Sequence, residues 1–477
     1  MTDSVTAPQK QSTPFDPTPY IDAVRGVTGK YAAERGRAPR VFVLTFGCQQ
    51  NVADSEKLCG MAKEMGYAPT ETPEEADLIL VNTCAIREHA EDRALSIIGQ
   101  YKHLKDKNPS LVIGVCGCMA AEEHRREQLK KSYPYVSFVL VTSALHRLPQ
   151  YLCETLTRQR RIFRADDEMT VAENVPALRG SAYRAWVSIM YGCNNFCSYC
   201  IVPYVRGRER SREPQAVIDE VKALVAAGYR DITLLGQNVN SYRRGAPDGY
   251  EFADLLADLD RIDGDFLLRF MTSHPKDATK RLVDVMAAGR HIAHAFHLPL
   301  QSGSDRILSA MNRHYDRTKY LDILGYMREK MPDIAVTSDI IVGFPGETEA
   351  DFEETLSMLE TARFDMIYSF IFSPRRGTPA ETMKDPVPRA VQNERFDRLL
   401  ALQNAISAGQ NAPLVGKTVR VLSDGVSKND PTCYAGRNEQ NKIVLFREPV
   451  AAGMFVSIKI DRAEAFALWG TVQKEEK

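Results

Sequence analysis

Between Arg40 and Phe372 one pattern repeats along the chain. A short β-branched or aromatic run is followed by a turn of cysteine, glycine or polar residues, then by a longer charged stretch with helical spacing. Apolar runs that short, bounded by turns and separated by charged helical stretches, predict βαβ units with a parallel sheet. In such sheets the carboxyl ends of the strands lie along one edge, and ligands bind there. The pattern therefore sets the fold class, α/β, and also where chemistry is to be sought.

In the first third, Arg40-Val-Phe-Val-Leu-Thr-Phe-Gly47 ends at Cys48, the run from Leu78 to Thr83 ends at Cys84, and the run from Leu111 to Gly117 ends at Cys118. Phe138 to Thr142 reads as a fourth strand, with helical patterns over Asp54 to Met65 and Arg87 to Lys105. Cysteines at the ends of three neighbouring parallel strands are able to converge. Cys116, two positions before Cys118, competes with it on pattern alone. A free cysteine is ordinarily a small buried hydrophobe, and Cys59, Cys153 and Cys433, which have no clustered partners, are read that way.

From about Ala182 to Gly409 the alternation resumes. Expected strands are Val187–Met190, Ile232–Leu235, Phe266–Thr272, Ala295–Leu300, Ala335–Val342 and Ile367–Phe372, with helices over Glu213–Ala227, Phe252–Arg261 and Arg317–Lys330. About six βα units predict a partial (β/α) barrel with its site at the carboxyl ends of the strands. Tyr191-Gly-Cys193-Asn-Asn-Phe-Cys197-Ser-Tyr199-Cys200 follows the first of these strands. The spacing Cys-x3-Cys-x2-Cys wraps three thiolates round an iron–sulfur cube and leaves the fourth iron without a protein ligand. Soft sulfur donors select such clusters over harder metals. A zinc knuckle wants four ligands in two short pairs, and neither a second pair nor a nearby histidine follows. Gly236-Gln237-Asn238, Thr272-Ser273-His274-Pro275, Gln301-Ser302-Gly303-Ser304 and Gly343-Phe344-Pro345-Gly346 end later strands. Singly, such ends ordinarily make turns and caps; together they form a polar rim suited to a cofactor with an amino acid end, a ribose and an adenine. Tyr199, Gly236, Gln237 and Ser273 are the candidates to bind it. His274 is a candidate base, against the plainer reading of a solvated loop histidine.

After the helical stretch from Pro388 to about Gly409 the period shortens. Thr418–Leu422, Cys433–Gly436, Lys442–Phe446, Phe455–Ile460 and Phe466–Trp469 predict a small β-barrel of the oligonucleotide-binding kind. Arg437, Lys442 and Lys459 on it are compatible with phosphate contacts. Arginines also gather at Arg158, Arg160, Arg161 and Arg164, and at Arg206, Arg208, Arg210 and Arg212; the guanidinium fork matches phosphate oxygens, and a salt-bridged loop is the alternative. The expected organisation is a disordered or extended segment over 1–38, an α/β domain over 39–155, the barrel core over 179–410 and the small barrel over 413–475. A formal net charge of −1 over 477 residues leaves any nucleic-acid surface to local patches. The first residues lack the apolar run of a signal peptide, and no stretch approaches the roughly 18 apolar residues of a membrane helix. Ten cysteines at loop positions are no secreted disulfide framework. A cytoplasmic protein with metal-bound thiolates is expected.

Assembled, these residues resemble the methylthiotransferase family of radical S-adenosylmethionine enzymes. Thr45-Phe-Gly-Cys48-Gln-Gln-Asn51 with Asp54-Ser-Glu56, Asn82-Thr-Cys84-Ala-Ile-Arg87 and Gly117-Cys118-Met-Ala120 look like the family's three amino-terminal signatures, which favours Cys118 over Cys116. The run from Arg206 to Arg212 is similar to the family's segment after the cluster cysteines, and Ala435 to Lys442 resembles the tRNA-associated TRAM domain. Leu235 to Tyr242, His297 to Arg306 and Ser369 to Ala380 look like the branch acting on isopentenyl-modified adenosine beside the tRNA anticodon. Arg375 and Arg376 stand where the branch acting on a ribosomal protein carries an acidic residue. The branch acting on threonylcarbamoyl-adenosine is the close alternative. Asn195 and Leu300 depart from the Lys and Val common at their positions, and neither removes a ligand.

The resemblance implies two [4Fe-4S] clusters. Cys193, Cys197 and Cys200 would hold one, which cleaves S-adenosylmethionine to a radical; Cys48, Cys84 and Cys118 would hold the second, which carries the sulfur transferred. A second S-adenosylmethionine would supply the methyl group. Implied partners are tRNA with isopentenyl-adenosine beside the anticodon, an electron donor such as a flavodoxin or ferredoxin, and a sulfur source; the protein would act as a monomer without a membrane.

Overall fold

The computed structural model describes residues 15–86, 88–165 and 171–473. They form two units. The first takes in the described residues up to Phe46, Asp54–Thr83 and Glu91–Leu178; the second takes in Gly47–Ala53, Cys84–Ala90 and the chain from Arg179 onward.

In the first unit, strands β1 (Arg40–Thr45), β2 (Ala68–Pro69), β3 (Leu78–Thr83), β4 (Val112–Gly117) and β5 (Phe138–Val141) form one sheet. Every pairing is parallel and the order is β2-β1-β3-β4-β5. All residues of β3, β4 and β5 are buried, which is why their sequences run apolar without alternating. One face packs on Leu58, Met65, Leu80, Phe138 and Tyr151, the other on Ile79, Val81, Ile113, Val115 and Val139. The order reverses direction between β1 and β3, the switch point at which doubly wound sheets bind ligands beyond their carboxyl ends.

The expected extension over 1–38 needs correction. Its first 14 residues lie outside the described ones, but Thr18–Arg35 is a helix closed by Gly36 in the left-handed region. Val24 and Thr28 are buried, Ile21 packs on the core, and the Thr28 hydroxyl donates to the Met65 carbonyl at 2.8 Å. Ile21, Val24, Thr28 and Tyr31 share one narrow face at helical spacing. The surrounding polar residues hide that stripe in the sequence.

In the second unit, β6 (Arg184–Ser188), the short pair β7 (Met190–Tyr191) and β8 (Arg210–Ser211), then β9 (Asp231–Leu235), β10 (Leu267–Met271), β11 (Ala295–His297), β12 (Ala335–Val342) and β13 (Met366–Ile371) follow in turn. Parallel ladders join β6-β9-β10 and β11-β12-β13. Helices Pro214–Ala226, Phe252–Asp260, Lys280–Ala288, Arg317–Lys330 and Glu349–Ala362 lie between the strands. This is the expected partial barrel, with six βα-type strands delivering their carboxyl ends to one mouth.

Helix Arg389–Asn411 leads into β14 (Thr418–Val426), β15 (Tyr434–Asn438), β16 (Ile443–Phe446), β17 (Phe455–Ala463) and β18 (Leu468–Val472). These close into a barrel in the order β14-β15-β16-β18-β17 around Val421, Val444, Phe446, Ile458 and Leu468. Polar contacts bind it to the larger barrel: buried Arg269 donates to the Asn438 carbonyl at 2.9 Å, and half-buried Arg184 pairs with both Asp231 and Asp424 at 2.8 Å. Among the described residues no helix is long and apolar enough to cross a membrane.

Candidate active site at the barrel mouth

The loop that carries Cys193, Cys197 and Cys200 is stapled at its base by the antiparallel pair β7 and β8. Gly192 opens it at a φ of 79°, and a Cβ there would run into the Arg208 carbonyl. Its N–H donates to Gln237 Oε1 at 2.6 Å, and the Cys193 N–H donates to the Gly207 carbonyl at 3.1 Å. Farther along, the segment after the short helix Asp305–Ala310 grips the loop. Ser198 N–H donates to the Met311 carbonyl, and Asn312 Nδ2 donates to the carbonyls of Asn195 and Phe196 at 3.3 and 2.9 Å. Phe196 is held at a φ of 47°, costly for a bulky residue and maintained by those bonds. Thr272, Gln301, Asn312 and His314 also have positive φ, so left-handed backbone gathers after two strands and after the short helix Asp305–Ala310.

Cys193 and Cys197 are buried and Cys200 is half-buried. Burial pushes the Cys193 thiol up to about 11, with the neighbouring Cys197 adding to the rise. Burial and then Cys197 push Cys200 up to about 12, and Cys193 contributes too. Cys197 thus lies close enough to Cys193 and Cys200 to oppose their ionisation, an arrangement that suits a shared cationic centre, since a metal reverses that effect by holding thiolates deprotonated. Arg313 supplies the adjacent positive charge: Nη1 lies 3.3 Å from Cys197 Sγ. Among the described residues no three His, Cys, Asp or Glu side chains group as ligands of one ion; in an iron–sulfur cube each thiolate binds a different iron.

The other candidates at this mouth are partly committed to the protein itself. Tyr199 packs against Ile307, Met311, Phe344 and Ala380, and its hydroxyl accepts from Arg313 at 3.4 Å. Gly236 lies against Met190, where a Cβ would stand 2.5 Å from Cγ, and its carbonyl accepts from the Thr272 hydroxyl. The Ser273 hydroxyl donates to the His297 carbonyl. His274 is not the solvated loop residue of the plainer reading: it is buried, its Nδ1 accepts from the Lys276 N–H at 3.2 Å, and its Nε2 has no partner. Beside it, Asn194, Glu209, Ser241, Arg244, Lys276 and Lys319 help line a charged cleft of about 360 Å³.

At the first sheet, β1, β3 and β4 bring their carboxyl ends side by side. Cys84 directly follows β3, Cys118 directly follows β4, and Cys48 lies three residues beyond β1. Gly117, at a φ of 95°, packs on Thr83, where a Cβ would meet the Thr83 nitrogen at 2.6 Å. A Cβ on Gly47 would stand 2.8 Å from Cys84 Cβ. The glycines thus let the chain turn tightly beside its cysteines. Cys116 is wholly buried in the apolar core, with its thiol pushed up by burial. The loops bearing Cys48 and Cys84 belong to the second unit, where Gln50 Nε2 donates to Ser188 Oγ at 2.8 Å and Arg206 donates to Asn51 Oδ1 at 3.3 Å.

Several arginines of the two basic runs are held by the protein's own acceptors. Arg161 donates to the carbonyls of Val136 and Tyr133, Arg164 pairs with Glu154, and Arg212 pairs with Glu220 at 2.6 Å. Lys442 is bound to Asp365 and to Asn411 Oδ1, so the phosphate contact expected of it is not available. The sequence reading missed Arg313 and Asn312. Their only signal is the run Met311-Asn-Arg-His-Tyr315 closing a short helix, with a left-handed asparagine as its stop.

Residues 187–359 match the radical SAM superfamily, and residues 40–141 match an uncharacterized protein family, UPF0004. The chain is 46% identical over 455 residues to the tRNA-2-methylthio-N(6)-dimethylallyladenosine synthase of Caldicellulosiruptor saccharolyticus, covering 95% of this chain and 96% of that one. The synthase of the same name from Thermoanaerobacter sp. is 48% identical, over 92% of this chain and 94% of the relative. Among solved structures, the radical S-adenosylmethionine methyltransferase TsrM from Kitasatospora setae, with cobalamin and a [4Fe-4S] cluster bound, aligns over 72% of this chain and 77% of its own. The TM-score is 0.54 at 15% identity, a likeness of fold.

Proposed function

The chain belongs to the methylthiotransferase family of radical S-adenosylmethionine enzymes that modify tRNA, and from that membership we propose that its substrate is the N(6)-isopentenyladenosine beside the anticodon, methylthiolated at C2. The observation that carries this reading is the near full-length identity to synthases whose name specifies that product.

Cys193, Cys197 and Cys200 would hold one [4Fe-4S] cluster, and Cys48, Cys84 and Cys118 a second. When bound, the first supplies the electron that breaks the carbon–sulfur bond of S-adenosylmethionine, and the second carries the sulfur. The cofactors bring the chemistry and the protein positions them. Gln237 fixes the entrance of the cysteine loop through the Gly192 N–H. Gly236 keeps the floor of the mouth free of a side chain, while Ser273 and Tyr199 offer polar and aromatic edges to the cofactor. The carboxy-terminal barrel would serve as the tRNA grip of the TRAM kind. A single-stranded loop base, splayed from its stack, is the form in which RNA presents such an atom. An electron donor such as a flavodoxin or ferredoxin, a sulfur source, a monomeric state and a cytoplasmic setting complete the proposal.

The test is anaerobic reconstitution with S-adenosylmethionine, reductant and isopentenyl-adenosine tRNA, followed by nucleoside mass analysis. The expected product is an adenosine heavier by one methylthio group. Cys193→Ala should abolish formation of 5′-deoxyadenosine, and Cys84→Ala should retain part of it while yielding no methylthio product. Methylthio product from the Cys84 variant would overturn the division of labour. Product from threonylcarbamoyl-adenosine tRNA alone would overturn the substrate.

A further inference from the structure

Arg313 is buried at the mouth, only 4% exposed, yet among the described residues no carboxylate lies within ion-pair distance of it. Its partners are neutral or thiol: Nε donates to the Tyr315 hydroxyl at 3.0 Å, Nη2 to the Pro299 carbonyl at 2.9 Å, and Nη1 to Tyr199 Oη at 3.4 Å and Cys197 Sγ at 3.3 Å. Three other buried arginines of this unit are compensated: Arg395 by Glu347, Arg269 by Asp231 and Arg212 by Glu220. A buried charge without an opposite charge is strongly disfavoured. The guanidinium is also immobilised by neutral acceptors on three sides, so it does not merely fill space. Its compensating anion has to be supplied on the side that faces the cysteine loop.

We propose that Arg313 is the electrostatic positioning residue of the cysteine-loop cluster, holding the Cys197 thiolate by a charge-assisted hydrogen bond and raising the reduction potential of the cluster. This rests on the assignment of Cys193, Cys197 and Cys200 as ligands. Reduction adds one negative charge to a centre already carrying three thiolates, and a fixed buried cation favours that state. Net charge, hydrogen bonds to the sulfurs and solvent exposure are what set such potentials. The Asn312 amide beside it holds the loop backbone, so one short segment fixes both the fold and the charge of the ligand loop.

The experiment uses full-length protein carrying Cys48→Ala, Cys84→Ala and Cys118→Ala, so that one cluster remains, reconstituted anaerobically and titrated with dithionite under electron paramagnetic resonance. Arg313→Gln keeps donors and loses the charge; Arg313→Lys keeps the charge and loses the fork. The Gln variant should show about a tenfold lower ratio of reduced to oxidised cluster at fixed potential, about 59 mV for a one-electron couple, with the Lys variant between it and the parent. If the Gln variant fails to take up iron while the Lys variant loads, the charge is needed to assemble the thiolates and the proposal stands. Gln and Lys variants that both load and titrate at the parent potential overturn it. A parent that takes up no cluster, or still takes it up after Cys197→Ala, overturns the ligand assignment itself and the role of Arg313 with it.

Discussion

His274 sits at the mouth with one ring nitrogen satisfied and the other bare. Because Nδ1 accepts from the Lys276 N–H, the ring hydrogen belongs on Nε2, which has no partner. Burial pushes its pKa far down, and the positive charges of Arg313, Lys276 and Lys319 push the same way. The folded protein therefore holds this imidazole neutral, while the unfolded chain takes up a proton below about 6.5. More protons on the unfolded state means that stability rises with pH, so this contribution is complete above that value and is lost as the pH falls below it. The expected slope is ~1.4 kcal/mol per pH unit. Chemical denaturation of the full chain between pH 5 and 6.5 should show a shallower decline in His274→Gln than in the parent; identical slopes would mean that the imidazole protonates in place.

At the scale of the element, the cysteine loop is a hairpin-based structure whose tightest point is Gly192. Alanine there meets backbone carbonyl atoms and a left-handed φ together. Gly228, at a φ of 89°, has open space around its Cβ position. The expected outcome is that Gly192→Ala lowers iron and sulfide per chain towards half, the share of the cluster on that loop. Gly228→Ala should cost about 1 kcal/mol in stability and leave iron content unchanged. Equal iron in the two variants would show that the loop tolerates displacement of its entrance. The difference between these two glycines is invisible in one dimension, and it marks where legibility ended. The strands were readable because doubly buried parallel strands need continuous apolar runs, as Leu78–Thr83 and Val112–Gly117 have. The position of the cysteine loop was readable because Cys193, Cys197 and Cys200 directly follow an apolar run that became a strand. Arg313 was not, since its meaning comes from the missing carboxylate around it. The helix Thr18–Arg35 was not either, because its anchoring face is only a few residues wide.

Across the second unit, the distribution of charge separates basic residues that hold the fold from those free to meet RNA. Lys442 bridges the two barrels: its ammonium binds Asp365 and Asn411, and both members of the ion pair are nearly buried. Asp365 also accepts from the Val336 N–H at 2.8 Å and feels the charge of Arg328, so removal of the lysine leaves a largely buried carboxylate without its direct ion-pair partner. Lys442→Ala should therefore destabilise by ~3–5 kcal/mol, read as a lower denaturant midpoint. Arg376 differs: it stands just beyond β13, is exposed, and has no side-chain partner among the described residues. A cation in that state costs little to remove from the fold but is available to a phosphate. Arg376→Ala should leave the midpoint within ~0.5 kcal/mol and weaken tRNA binding, reducing the slope of log affinity against log salt by about 1. In Lys442→Ala, measured where the protein is still folded, that slope should be unchanged. The reverse pattern, a lowered salt slope for Lys442→Ala with none for Arg376→Ala, would mean that the bridge opens on binding and that RNA is gripped by the face the two barrels bury against each other.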